Sequence, residues 1–496
     1  MYQKVTNILT LSTIFIIIVI PFVLQGCSSP FKNAEEKPTD THQHALLWKN
    51  RIETEHSDTP IVFPLDGPTQ VETSLENRMG EINSLTPANT NTAQTTSIGL
   101  NLQNKEHSAA SLGFEEAILF AIENNFDIQI AALQPSIAAQ SITANEAAFD
   151  FVFGAGSTYR RTNTPQQQTT IAGRQVSTSS SSSDNLDNNM SLAKKFYGGG
   201  SITLSTDITK TNNTTKEISL SPNPAWKTIG TLDYSQPLLR NFGETVTLSE
   251  IRLSKIEHKQ SEEELRETLN EVVTRTIQSY LDLSLQWKTL EVKIWLLEQG
   301  EHVVEILNLR RSYDTSEADY AQAVATVQKR RADVVSQQAA LHKASDAVKK
   351  NINTEEFSLR SEVVIQPTKQ VEVTPINISL RQAILTAMEN RPDLRKSILL
   401  IQSREINMQV ADNQRLPQLD MQAQMSFNGL GNSLGDGYEE VFDTEYVNYL
   451  AGLSFQIPFG NRAAEANYTS SRLQKMTAVT QYKQAMQNVT IDVKTA

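Results

Sequence analysis

From Gln418 to Phe427 the chain reads QLDMQAQMSF, with every odd-numbered residue apolar and every even-numbered one polar. A period of two belongs to an extended strand, whose successive side chains point to opposite faces, and no helix sorts ten residues in this way. The rhythm returns in VNYLAGLSFQIP, which puts Val447, Tyr449, Ala451, Leu453, Phe455 and Ile457 on one side. Upstream, SITLSTDIT sets Ile202, Leu204 and Ile208 against Ser201, Thr203, Ser205, Asp207 and Thr209, and TLDYSQPLL sets Leu232 and Tyr234 against Thr231, Asp233 and Ser235. FDFVFGAGSTY alternates more loosely, with Phe151, Phe153, Ala155 and Tyr159 on one side.

Two environments impose this pattern. A soluble sheet with one wet face does so. A transmembrane β-barrel, apolar toward lipid and polar toward water, does so as well, with strands of about ten residues and aromatics near their ends. The strands alone leave both open. Each strand block leaves through a proline and a glycine, Pro237 with Gly243 and Pro458 with Gly460, which suits a strand ending and turning into a helix.

The strands sit inside a duplication. AILFAIENNFDI (Ala117–Ile128) and AILTAMENRPDL (Ala383–Leu394) agree at seven of twelve positions. Phe114, Ala117, Ile118, Ala121 and Ile122 share a helix face, as do Leu380, Ala383, Ile384, Ala387 and Met388, with Ser111 and Ser379 as expected N-caps. Asn124-Asn125 and Asn390-Arg391-Pro392 interrupt each copy before a second helix. After the first strand block, Val246–Leu309 contains no proline and carries Leu265, Leu269, Val272, Ile277 and Tyr280 at coiled-coil spacing. At 1.5 Å per residue it would run roughly 95 Å. A break at Ser312–Ser316 precedes a returning helix, Glu317–Lys350.

Composition removes other classes. A hydrophobic content of 39% and a mean hydropathy of −0.36 exclude a polytopic helical membrane protein. The net charge of −12 speaks against a nucleic-acid partner. A single cysteine, Cys27, forbids an intrachain disulfide, and His42 and His44 sit together only in a polar tract, so no metal or cofactor is expected. No catalytic set is present; GGGSIT lacks the lysine of a phosphate loop. The chain opens with Lys4 and an apolar run from Ile8 to Val23, the form of a secretory signal. Residues 28–110 are polar and aperiodic and are expected to be a tether.

Leu24-Gln25-Gly26-Cys27 resembles a bacterial lipoprotein box, which implies cleavage before Cys27 and its acylation, and Ser28 implies sorting to the outer membrane. An uncleaved anchor is the alternative. From Ser111 onward, the duplicated helix, the corner SQPLLRNFGE and the turn LRRSYDTSEADYAQA together resemble the TolC-type outer membrane efflux protein family. That resemblance implies an α+β membrane protein of two tandem repeats, with long periplasmic α-helical coiled coils forming an α-barrel and strands closing a shared trimeric transmembrane β-barrel. It implies a homotrimer in contact with outer membrane lipid, a periplasmic adaptor protein and an inner-membrane pump, and passive export of small compounds or proteins. The adaptor-facing tip would carry Arg311, Tyr313, Ser316, Asp319 and Tyr320; Asp319 also suits the start of a helix without any partner. Thr231, Asp233, Gln422 and Gln424 would line water, and Leu453 and Phe455 would face lipid. The expected divisions are 1–27 (signal), 28–110 (tether), 111–360 (first repeat), 361–378 (linker) and 379–496 (second repeat). The first repeat holds an extra alternating stretch around Gly198–Gly200, which gives either more strands than the usual pair per repeat or a projecting hairpin. The last helix stops at Ala496 without a return, so a C-terminally truncated reading frame or a fragment is the expectation. The rival reading is a coiled-coil envelope lipoprotein or adhesin without a pore, or a non-functional remnant.

Overall fold

The computed structural model of the chain describes residues 61–62, 97–99, 107–165, 170–171, 174–175, 180–214, 221–313, 315–368 and 377–496. The expected signal, Cys27 and most of the tether lie outside them. The chain sorts into two compact units, one from residues 138–258 and 397–484 and one from residues 47–137, 259–396 and 485–496.

The first unit is built on one antiparallel sheet of six strands. These are β2 (Val152–Pro165), β3 (Ser180–Lys195), β4 (Ser201–Asn213), β5 (Ala225–Pro237), β7 (Gln418–Gly431) and β8 (Val447–Gln456), in the order β8-β7-β5-β4-β3-β2. The stretch around Gly198–Gly200 therefore resolves as extra strands, β3 and β4, inside the sheet. Helices flank the strands: α2 (Phe126–Glu146) leads to β2, α3 (Glu244–Thr247) and α4 (Ser249–Arg310) follow β5, α7 (Pro392–Asn413) leads to β7, and α9 (Arg462–Thr495) follows β8.

Both strand-to-helix corners use a left-handed asparagine, Asn241 (φ 66°) and Asn461 (φ 36°), beside a glycine at φ 94° or 84°. Asparagine tolerates this region because its short polar side chain bonds locally. Both asparagines also grip one stretch of chain. The Asn241 N–H donates to Asn413 Oδ1 at 2.7 Å, Gln414 Nε2 donates to Asn241 Oδ1 at 2.6 Å, and Asn461 Nδ2 donates to the Arg415 carbonyl at 2.9 Å. The turn between β3 and β4 docks on the first corner: the Gly243 N–H donates to the Gly198 carbonyl at 3.1 Å. A Cβ on Gly199 would meet the Asn241 carbonyl oxygen at 2.5 Å.

The second unit is a helical bundle braced by a short parallel strand pair, β1 (Ala109–Leu112) with β6 (Val364–Pro367). Around it pack α1 (Phe114–Asn124), α4 from Val272 to Leu290 and α5 (Glu317–Ile352), and the unit also includes α6 (Leu380–Asn390). Val272, Tyr280, Leu283, Trp287 and Leu290 of α4 meet Leu341, Val348 and Ile352 of α5 in a buried core that also holds Ala117, Ala121 and Ile365. Two polar tips satisfy strand carbonyls there: Tyr280 Oη donates to Leu112 O at 3.0 Å and Trp287 Nε1 donates to Ile365 O at 2.8 Å. The buried Asn125, where the first helix breaks, donates to the Asn351 carbonyl at 2.9 Å. In the second copy Arg391 takes that place and pairs with Asp393 and Asp492.

Several boundaries differ from expectation for identifiable reasons. Ser111 is not an N-cap, because it lies in β1; the cap is Gly113, whose N–H is held by the Glu116 carboxylate at 3.0 Å. Ser379 does cap α6, accepting from the Gln382 N–H at 3.5 Å. Parts of the expected tether and linker carry structure: Ile98 is buried, and Ala109–Ala110 pair with Val364–Ile365, both of which are buried. In the α4 seam Thr276, not Ile277, is buried, its hydroxyl donating to the Val272 carbonyl at 2.8 Å. That local bond lets a threonine occupy an apolar position.

Candidate functional site

The register of the six strands sorts their side chains into rows. One row across the sheet is Phe153, Leu192, Leu204, Leu232, Met425 and Tyr449. The next row, on the opposite face, is Gly154, Ser191, Ser205, Thr231, Ser426 and Asn448. Asp233 pairs with Thr203 and Gln424, and Gln422 pairs with Ser235. All four residues expected to line water, Thr231, Asp233, Gln422 and Gln424, therefore share the polar face. Leu453 and Phe455 occupy the other. Val152, Ile229, Leu430 and Leu450 are apolar exceptions on the polar face, Leu450 in register with Gln424.

The apolar face is largely uncovered. Phe153 is 67% exposed, Leu204 55%, Tyr449 73% and Leu453 69%. A monomeric soluble protein rarely leaves so many large apolar side chains contiguous and bare. The face is bounded along the strands by two lysine–aromatic pairs, Lys194 over Phe151 at 4.1 Å and Lys210 over Trp226 at 5.1 Å. Lys194 is in register with Ile202, eight residues before Lys210, so the band between the two pairs measures about 27 Å along the strand.

At one end a short helix, α8 (Leu434–Asp443), covers the apolar face. Val441 and Gly437 are buried against Thr228, Gly230 and Gly429, and the Tyr438 and Thr206 hydroxyls share a hydrogen bond of 3.0 Å. A Cβ on Gly429 would strike the Gly437 carbonyl, so the absent side chain is what admits the helix.

The α4–α5 turn brings four of the five expected tip residues together. Arg311 forms a two-pronged bond to Glu317, with Nε at 2.8 Å and Nη2 at 2.6 Å, while its guanidinium lies 4.8 Å from the Tyr320 ring. Ser316 caps α5, accepting from the Asp319 N–H at 3.1 Å, and its hydroxyl donates to the Asp319 carboxylate at 2.6 Å. Tyr313 stands apart, 89% exposed. Glu317, which the sequence reading missed, has its carboxyl held below the usual range by the hydrogen bond from Arg311.

Residues 383–496 match the family described as outer membrane efflux protein. From Ala383 onward, therefore, the sequence is similar to outer membrane efflux proteins. No curated protein matches it in sequence. Among solved structures, the chain is similar to the CmeC outer membrane channel of Campylobacter jejuni, at 15% identity, TM-score 0.52, over 79% of this chain and 74% of that one. A membrane protein from Pseudomonas aeruginosa matches at 16% identity and TM-score 0.52, over 76% and 74% of the two chains. The outer membrane protein VceC of Vibrio cholerae matches at 14% identity and TM-score 0.50, over 76% and 75%. At such identities the likeness establishes the mixed α+β fold of these channels. The lysine–aromatic pairs and α8 were not anticipated in the sequence, because Lys194–Phe151 and Lys210–Trp226 meet only once the strand register is known.

Proposed function

We propose that the chain is one subunit of a homotrimeric outer-membrane duct that passively exports small compounds or proteins as part of a tripartite efflux or type I secretion assembly. The observation that carries this is the six-strand sheet with one bare apolar face and one polar face. In lipid every backbone group must be paired, so strands span a bilayer only as a closed barrel. The apolar band, bounded by Lys194–Phe151 and Lys210–Trp226, is of the order of the roughly 25 Å lipid-facing belt of such barrels. Lysines at its margins extend their stems over aromatics while their ammonium groups stay wet. Thr231, Asp233, Gln422 and Gln424 then face water in the lumen.

Two further parts belong to the same proposal. Acylation of Cys27 anchors the mature chain, since several acyl chains bind a bilayer stably where one is marginal. The α4–α5 turn, with Arg311, Tyr313, Ser316, Asp319 and Tyr320, meets a periplasmic adaptor that connects to an inner-membrane pump. Purified protein in planar bilayers should give discrete conductance steps, and unheated samples should migrate differently from boiled ones on denaturing gels. Release of the protein from membranes by a high-salt wash alone, with no conductance after reconstitution, would support a pore-free envelope lipoprotein instead.

A further inference from the structure

Four of the six strands continue directly into or out of helices: β2, β5, β7 and β8. The hairpin β3–β4 does neither, yet it occupies the middle of the sheet. β3 pairs with β2 from Val152↔Ala193 to Pro165↔Ser180, and β4 pairs with β5 from Ser201↔Ser235 to Thr211↔Ala225. β2 and β5 are not neighbours; only the hairpin joins them. Its faces are in phase with the rest, Leu186, Met190, Leu192, Ile202, Leu204 and Ile208 with the apolar rows, and Asp187, Asn189, Ser191, Ser205 and Asp207 with the polar ones. A hairpin projecting from the sheet would have no reason to keep this phase, because a shift of one residue reverses every side chain. Its glycine turn, moreover, is bolted to the β5 exit corner through Gly198 and Gly199.

From this insertion we infer, on the basis of the duct reading above, that each chain contributes six strands to the barrel wall, so that three copies close a ring of eighteen strands rather than twelve. The junction between copies is β2 against β8. Among the described residues each of these strands is paired along one side only, and a free edge cannot persist in lipid. With an even number of alternating strands per chain, β8 of one copy and β2 of the next run in opposite directions, as antiparallel closure requires. Barrel diameter grows roughly in proportion to strand number, so the wall is about 1.5-fold wider and its cross-section about 2.2-fold larger than with twelve strands. The hairpin thus makes the outer-membrane segment a wide passage, suited to bulky cargo.

Cysteine pairs in the full-length chain test the strand order directly. Phe153→Cys with Leu192→Cys should crosslink within one chain. Phe153→Cys with Leu232→Cys should not, since two strands separate them by about 14 Å; an efficient intrachain link there would mean that the hairpin has left the wall, and would overturn the inference. Pairs drawn from Phe153, Ala155 and Ser157 of β2 with Tyr449, Ala451 and Leu453 of β8 should yield interchain species ending at trimers. Channels that conduct while no β2–β8 pair links between copies would also overturn it, leaving the duct reading in place; a monomer without conductance would remove the duct reading itself. A variant with residues 180–213 replaced by a short turn should conduct about 2.2-fold less than the parent, and unchanged conductance would count against the proposal. If that variant fails to fold, the cysteine pairs in the intact chain still decide.

Discussion

Leu232 and Thr231 are adjacent on β5 and occupy the apolar and polar rows, so a lysine at each asks the same strand two different questions. In a soluble sheet Leu232, 40% exposed, is a surface residue, and its replacement by lysine should change stability by no more than about 0.5 kcal/mol. In a barrel wall Leu232 lies two residues from the middle of the band between Lys194–Phe151 and Lys210–Trp226. A lysine on the lipid face near mid-depth costs about 2–4 kcal/mol. At about 1.4 kcal/mol per tenfold, that is a loss of about 30-fold to 700-fold in the folding equilibrium. Thr231→Lys, pointing into water, should cost little. The assay is urea titration of protein folded into lipid vesicles, read by the fraction that keeps its unheated gel mobility. Equal midpoints for Leu232→Lys and Thr231→Lys would refute the assignment of faces, and a larger loss for Thr231→Lys would invert it.

Other expectations concern separate parts of the molecule. Leu283→Ala removes a fully buried side chain from the helical core and should destabilise by about 2–5 kcal/mol, whereas Leu285→Ala, 61% exposed, should fall within about 0.5 kcal/mol in chemical denaturation. Gly429→Val should eject α8 without opening the sheet, seen as faster amide exchange over Leu434–Asp443 with strand protection retained. Glu317 has a depressed folded-state pKa, so its bond to Arg311 is fully present above the ordinary carboxylate range and is lost as pH falls through the lowered value. Exchange or protease cleavage at the α4–α5 turn should therefore rise in acid, and Glu317→Gln should abolish that pH dependence. Cys27→Ala should prevent incorporation of labelled fatty acid; undiminished labelling would disprove acylation at that residue.

Much of the sheet was readable because a bare apolar face writes its period openly: Leu419 to Phe427 sets out strand, register and facing together. The long helices were readable from the absence of proline and from seams such as Leu269, Val272 and Tyr280. What escaped was nonlocal. AASL and VIQP look like ordinary connecting chain, and only their pairing across the fold, with Tyr280 and Trp287 bonding to their carbonyls, makes them structure. The helix in SLGDGYEEVF was hidden by its two glycines, which favour coil in isolation but here admit close packing on β5 and β7. Glu317 looked like one acidic residue among many, and only the α4–α5 turn sets it against Arg311.

The two asparagines that clasp Asn413–Arg415 have an evolutionary corollary. Because both joints are fastened to the same three residues, a single-codon insertion between Asn413 and Arg415 would throw two hinges out of alignment at once. Length change should accordingly be tolerated in the connections at the opposite end of the strands and suppressed here, which makes this short peptide the keystone against which drift in either repeat is checked.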